Sequence, residues 1–180
     1  MKIMPNRLNR GFEQYQQEFE QKALEVLRSG WYILGNEVKE FEKEFAVYTG
    51  AKHCVGLASG LDALWIAFRV LGIGAGDEVI VQGNTYIASV MGITMNGATP
   101  IFVEPDEYFN IDTKKIEEMI TDKTKAILVV HLYGQASKIR RFPLGTALLR
   151  CSQLLRIGLM ITLFSRFGSS YIRLFTMQKF

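Results

Sequence analysis

No aspartate or glutamate follows Asp122, although the chain holds eighteen acids in all. Cysteine and histidine are scarce, at two each. Cys54 and Cys151 lie far apart without metal-ligand or redox spacing, so both are expected to be buried, reduced thiols. His53 and His131 have no carboxylate or second histidine spaced to make a metal site, and a hydrogen-bonded structural role is the plain expectation for each. The longest apolar stretch of the C-terminal part, IGLMITLFS between Arg156 and Arg166, is too short to span a bilayer. Lys2, Arg7, Arg10, Glu13 and Glu18 fall where a secretory leader would need an apolar core, which predicts a cytoplasmic protein. Nucleophile-elbow and paired-carboxylate patterns are missing, as is any basic and aromatic patch for nucleic acid.

The missing acids divide the chain. Beyond Lys138 seven basic residues stand against no acid, leaving fourteen Lys and Arg against eighteen acids before them. Such a tail could be a nucleic-acid or membrane arm, but its arginines are mixed with Leu, Phe, Ile and Ser without regular period. That composition suits nucleotides translated out of frame. The expected organisation is therefore a body over residues 1–138 and a foreign tail over 139–180 that does not rebuild the part of the sheet missing from the body.

What is present in the body is a globular composition, 48% hydrophobic and 22% charged over the chain. Phe12, Tyr15, Phe19, Ala23 and Val26 recur at helical spacing before Gly30, and Val38, Phe41, Phe45 and Tyr48 repeat the pattern before Gly50. Short apolar runs then alternate with helical ones, as in an α/β sheet with crossover helices. Strands are predicted at about 53–58, 78–82, 99–103 and 125–131, and helices at 60–72, 85–96 and 113–120. GIGAGDE follows a helix and precedes a strand, the reverse of a nucleotide-binding loop, and reads as a turn.

Chemistry concentrates in CVGLASGLDALWIAF. A strand running into Ala58, Ser59 and Gly60, with a helix starting at once, would offer free N–H groups, a helix dipole and a hydroxyl to a phosphate. The alternative is that Ser59 only caps the helix, with Asp62 completing a capping box and placing a charge that opposes an anion. Tyr86 in GNTYIAS could stack on a flat cofactor or simply pack in the core. Trp31 and Tyr32 in GWYILG could line a cleft or a subunit interface, against the simpler expectation of core packing.

In order and spacing, SGWYILGNEVKEFEKEFAVYTGAKHCVGLASGLDALWIAFRVLGIGAGDEVIVQGNTYIAS, NGATPIFVEPD and FNIDTKKIEEMITDKTKAILVVHLYGQ resemble the N-terminal part of the DegT-type sugar aminotransferases over about residues 1–138. SGWYILG and NTYIAS are most similar to members that aminate a 3-keto-6-deoxy sugar carried on dTDP. The resemblance implies an incomplete three-layer sandwich, the α/β large domain of a fold-type I pyridoxal phosphate (PLP) transferase with a mostly parallel sheet. It implies a nucleotide-linked keto sugar and an amino donor such as glutamate as partners, a homodimer, and amino-sugar biosynthesis for surface polysaccharide or glycosylated metabolites. Ser59 and Gly60 match the turn that holds the cofactor phosphate. Leu61 stands where the family usually has Thr, so only its backbone N–H is available. Tyr86 matches the aromatic that stacks on the pyridine ring, and Trp31 and Tyr32 fall in the segment that shapes the sugar-nucleotide cleft.

The family's chemistry also needs a Schiff-base lysine and an aspartate at the pyridine nitrogen, both well beyond HLYGQ. After Tyr133 the chain has only Lys138 and Lys179, neither in the family's lysine context, and no aspartate. The expectation is a chain without transaminase activity of its own. Two other readings are a Rossmann-type oxidoreductase, which the first strand–helix turn disfavours by lacking G-x-G-x-x-G, and a non-catalytic interaction module.

Overall fold

The computed structural model describes residues 9–138, together with the backbone of 160–165 and 173–175. The chain divides between Gly56 and Leu57 into two compact units.

The first unit is helical: α1 (Asn9–Gln14), α2 (Gln16–Ser29) and α3 (Asn36–Thr49). The expected first helix is interrupted at Tyr15, whose φ of −124° and ψ of 26° leave the α region. α2 and α3 both stop where the sequence predicts, because Gly30 and Gly50 adopt φ of 66°, the left-handed conformation that a glycine enters without strain. Residues 53–58 form no strand, although the sequence predicts one; the resemblance implies that in this chain the segment would be left without its partners. A strand exists only through a neighbour, and among the described residues none pairs with them. The Gly56 N–H is satisfied instead by Glu42 Oε1 at 2.7 Å.

The second unit is α/β. In it α4 (Gly60–Val70), β1 (Glu78–Gln82), α5 (Ile87–Thr94), β2 (Thr99–Val103) and β3 (Thr124–Val130) follow one another. β1 lies between β2 and β3 and is parallel to both, so the three body strands pair with one another as the family resemblance implies. On one face Val79, Val81, Leu128 and Val130 pack with Leu64, Ala67 and Phe68 of α4 and Ile93 of α5. On the other, Ile80, Ile127 and Val129 meet Ile111 and Ile116 from the β2–β3 connection. The sheet is thus covered on both sides, which explains why its strands read as continuous apolar runs.

One expectation fails here. The predicted helix over 113–120 is reduced to one 3₁₀ turn, Glu117–Met119. Asp112 takes the Lys114 N–H with its side chain and the Lys115 N–H with its carbonyl, a local alternative to helical bonding, and the segment is too short to nucleate against it. The tail supplies strands to this sheet. β4 (Met160–Ser165) pairs antiparallel with β3, and β5 (Arg173–Phe175) pairs antiparallel with β4. The edge of β3 away from β1 would otherwise present a row of unpaired N–H and C=O groups, which any extended, apolar segment satisfies. Cys151 lies outside the described residues. Cys54 is a free, half-buried thiol, whose pKa is pushed up first by burial and then by Glu42.

Candidate functional site

The C-terminal edge of the parallel strands gathers most of the candidate residues. Eleven residues of α4 span about 16 Å at 1.5 Å per residue, and five residues of β1 about 16 Å at 3.3 Å per residue. α4 packs against α5, Leu64 meeting Gly92 and the Trp65 carbonyl accepting from Asn96 Nδ2 at 2.9 Å, so its first residues, Gly60 and Leu61, lie toward the end of the sheet from which α5 starts. α5 starts at that same end, directly after residues 83–86. In open α/β sheets this is the edge where ligands bind.

At the start of α4, Ser59 is an N-cap with extended backbone, and its Oγ accepts from the Asp62 N–H at 3.1 Å. The hydroxyl in turn donates to Asp62 Oδ2 at 2.8 Å, while Trp65 Nε1 donates to Oδ1 at 3.1 Å. The capping box anticipated as the plain alternative is therefore formed. The Ser59 hydroxyl bond, with that of Trp65 second, holds the Asp62 carboxyl below its ordinary pKa. The N–H groups of Gly60 and Leu61 have no carbonyl within the helix to reach. These two amides fit one face of a phosphate, with the helix dipole behind them. Full use of Ser59 would require its hydroxyl to turn away from Asp62. Replacing Ser59 by alanine is expected to destabilise the fold by about 1 kcal/mol through the lost cap, seen as a lower urea midpoint at unchanged m. Since the carboxyl's pKa is depressed, its contribution is present at neutral pH and lost as pH falls through the folded value.

Tyr86 is not core. It is the residue preceding α5, with φ of −62° and ψ of 141°, and is 58% exposed. Its ring therefore lies on the surface at the strand edge, where stacking on a planar ligand is possible. Trp31 and Tyr32 also depart from the expectation of core packing, at 64% and 63% exposed in the helical unit. Both are tethered locally: Trp31 Nε1 donates to the Ile33 carbonyl at 2.7 Å, and the Tyr32 hydroxyl to the Leu27 carbonyl at 3.1 Å. Lys138 has its ammonium 3.6 Å from Asp106 Oδ2 and 4.5 Å from the centre of the Tyr108 ring.

His131, at the end of β3, is buried, and its Nδ1 accepts the Ser137 N–H at 2.9 Å. Burial pushes its pKa below the ordinary value. Because the folded chain then binds its proton less readily than the unfolded one, stability is lost as pH falls below about 6.5 and levels off beneath the folded pKa. Thermal midpoints measured between pH 7.5 and 5 should show this decline, and His131→Gln should flatten that part of it.

Sequence reading missed the polar group beside this edge. Gln82 and Asn84 bond each other and the Phe109 carbonyl, while Asn110 accepts from the Ser137 hydroxyl, and the one visible signal was a glutamine closing the apolar strand EVIVQ. Among the described residues there is no cluster of His, Cys, Asp or Glu able to hold a metal ion, and no helix long and apolar enough to cross a membrane.

Residues 13–143 match the model of the DegT/DnrJ/EryC1/StrS aminotransferase family. A dTDP-3-amino-3,6-dideoxy-alpha-D-galactopyranose transaminase of Aneurinibacillus thermoaerophilus is 62% identical over 123 residues, covering 68% of this chain and 34% of that protein. A dTDP-3-amino-3,4,6-trideoxy-alpha-D-glucose transaminase of Streptomyces venezuelae is 48% identical over 128 residues, 71% of this chain and 34% of that one. Among solved structures, S. venezuelae DesV in complex with a ketimine intermediate matches 75% of this chain and 37% of its own, with a TM-score of 0.71 and 46% identity. NtdA of Bacillus subtilis with bound cofactor PMP matches 78% and 33%, with a TM-score of 0.73 and 34% identity. The chain thus spans about a third of the length of the relatives it matches.

Proposed function

Because this chain belongs to the DegT/DnrJ/EryC1/StrS aminotransferase family, whose cofactor is PLP, we propose that it is the N-terminal part of a sugar-nucleotide aminotransferase large domain. The proposed substrate is a 3-keto-6-deoxy sugar on dTDP, with glutamate or a similar amino donor. The observation that carries the reading is the capped start of α4, with the Gly60 and Leu61 amides unpaired within the helix, and the exposed ring of Tyr86 at the start of α5, in a chain that is 62% identical over 123 residues to a dTDP-sugar transaminase. Nothing supports the Rossmann alternative, since residues 53–58 do not pair beside β1.

The proposed roles are those that the family resemblance gives these positions. Gly60 and Leu61 would hold the cofactor phosphate through their N–H groups, with Ser59 adding its hydroxyl once it leaves Asp62. Tyr86 would cover one face of the ring, and Trp31 and Tyr32 would contribute to the sugar-nucleotide cleft. When bound, PLP supplies the electron sink for moving an amino group between carbons. The chain's own residues bind and orient; they include no lysine in the family's Schiff-base context. Exposed Phe12, Phe19, Leu24 and Leu27 of the helical unit support a homodimer, which light scattering would detect. The proposed location is the cytoplasm, where a nucleotide-linked sugar substrate would be met. The non-family character of the tail over 139–180 is part of the same proposal, with the family match itself running on to residue 143.

Titration with PLP tests the site. Binding should be weak, with Kd above about 1 µM, equivalent to less than about 8 kcal/mol, because local amides act without a covalent bond. Inorganic phosphate should compete. Submicromolar affinity, or binding unaffected by phosphate, would contradict it.

A further inference from the structure

Gln82 closes β1 fully buried, at 0% exposure, and both its Nε2 protons are committed. One goes to Asn84 Oδ1 at 3.2 Å and the other to the Phe109 carbonyl at 3.3 Å. Asn84 Nδ2 donates to the same carbonyl at 3.0 Å. Gln82 Oε1 has no partner, alone among the buried side-chain polar atoms of the described residues. The amide cannot be reversed, because Oε1 would then face two acceptor oxygens. An apolar side chain would end this strand without leaving a buried acceptor unmatched. What the glutamine supplies at this position is its two donated bonds.

Its target is unusual. Phe109 has φ of 65°, a left-handed backbone that few non-glycine residues adopt, within a tight turn in which the Phe109 N–H reaches the Asp106 carbonyl at 3.0 Å. Two carboxamides converging on the Phe109 carbonyl lock this turn to residues 82–84. Tyr86 follows two residues later, and no hydrogen bond of its own hydroxyl is among the described contacts. The backbone of residues 83–86 is what sets its place.

We propose that Gln82 and Asn84 are positioning residues, which clamp the Phe109 carbonyl and so fix the segment that presents Tyr86 at the strand edge. Resting on the cofactor reading above, the clamp pre-orients the ring for a planar ligand, so that less order is lost on binding.

The test uses the full chain labelled with 3-fluorotyrosine, the Tyr86 fluorine resonance being assigned through Tyr86→Phe. Gln82→Met keeps the volume and removes the donors, and Asn84→Ala removes the second arm. Each should shift and narrow the Tyr86 resonance while leaving that of Tyr15 in place. Each should also weaken PLP by about two- to tenfold, as Tyr86→Ala should, with no further loss when combined with it. An unmoved Tyr86 resonance in both variants would overturn the clamp. So would a moved resonance with PLP affinity unchanged in Asn84→Ala but reduced in Tyr86→Ala. If Tyr86→Ala itself leaves PLP binding unchanged, the stacking role falls, and the resonance alone decides whether the clamp sets Tyr86.

Discussion

A purified chain of these 180 residues, supplied with PLP, glutamate and a 3-keto-6-deoxy sugar on dTDP, is expected to form no amino sugar. Enzymes lower barriers by about 8 to 23 kcal/mol, and here the family's route depends on a lysine that bonds the cofactor and carries the proton between donor and acceptor carbons. Past Tyr133 only Lys138 and Lys179 remain, and the Lys138 ammonium faces Asp106 and Tyr108. No aspartate follows to keep the pyridine nitrogen protonated. Binding groups alone cannot replace that chemistry. Mass spectrometry of the nucleotide sugar after prolonged incubation should find the keto form only. Turnover that disappears in Lys138→Ala or Lys179→Ala would show that the chain has its own lysine after all.

The largest stability effect is expected at Gly92, where α5 crosses α4. A Cβ built there would lie 2.6 Å from Leu64 Cβ and 3.5 Å from the Leu64 carbonyl carbon. Leu64 Cβ sits on the helix and cannot swing aside, so the two helices would have to separate. In an exposed helix, replacing glycine by alanine gains about 1 kcal/mol of propensity. Here overpacking opposes it at about 1 to 3 kcal/mol and wins. Gly92→Ala should be mildly destabilising, and Gly92→Val should lose about 3 kcal/mol, seen as a lower denaturant midpoint with m unchanged. An increase in stability for Gly92→Ala would mean that the helices are farther apart than described.

These two expectations show where sequence is informative. β1 occupies the predicted residues because an apolar run buried on both faces admits few other conformations, and β2, at the sheet edge with Phe102 exposed, keeps its predicted span by pairing with β1. The capping box at Ser59 and Asp62 was equally legible, since its partners are three residues apart. Non-local features were not. The 53–58 segment reads as a strand but has no neighbour among the described residues. Trp31 and Tyr32 have core-like character but lie exposed, and β4 joined an edge that no local pattern announces. The Gln82–Asn84–Phe109 group spans 27 residues of chain, so nothing local could reveal it. Tyr86 was placed by resemblance, and its exposure became visible only with the fold.

The most direct test is a chimera joining residues 1–138 of this chain to the remainder of the Aneurinibacillus thermoaerophilus transaminase, assayed with PLP, glutamate and the dTDP-linked 3-keto-6-deoxy sugar. It should bind PLP and form the amino sugar, and Ser59→Ala with Tyr86→Ala should weaken both. A folded chimera that neither takes up PLP nor turns over, under conditions in which the parent transaminase does both, would contradict the assignment of this edge as a cofactor site.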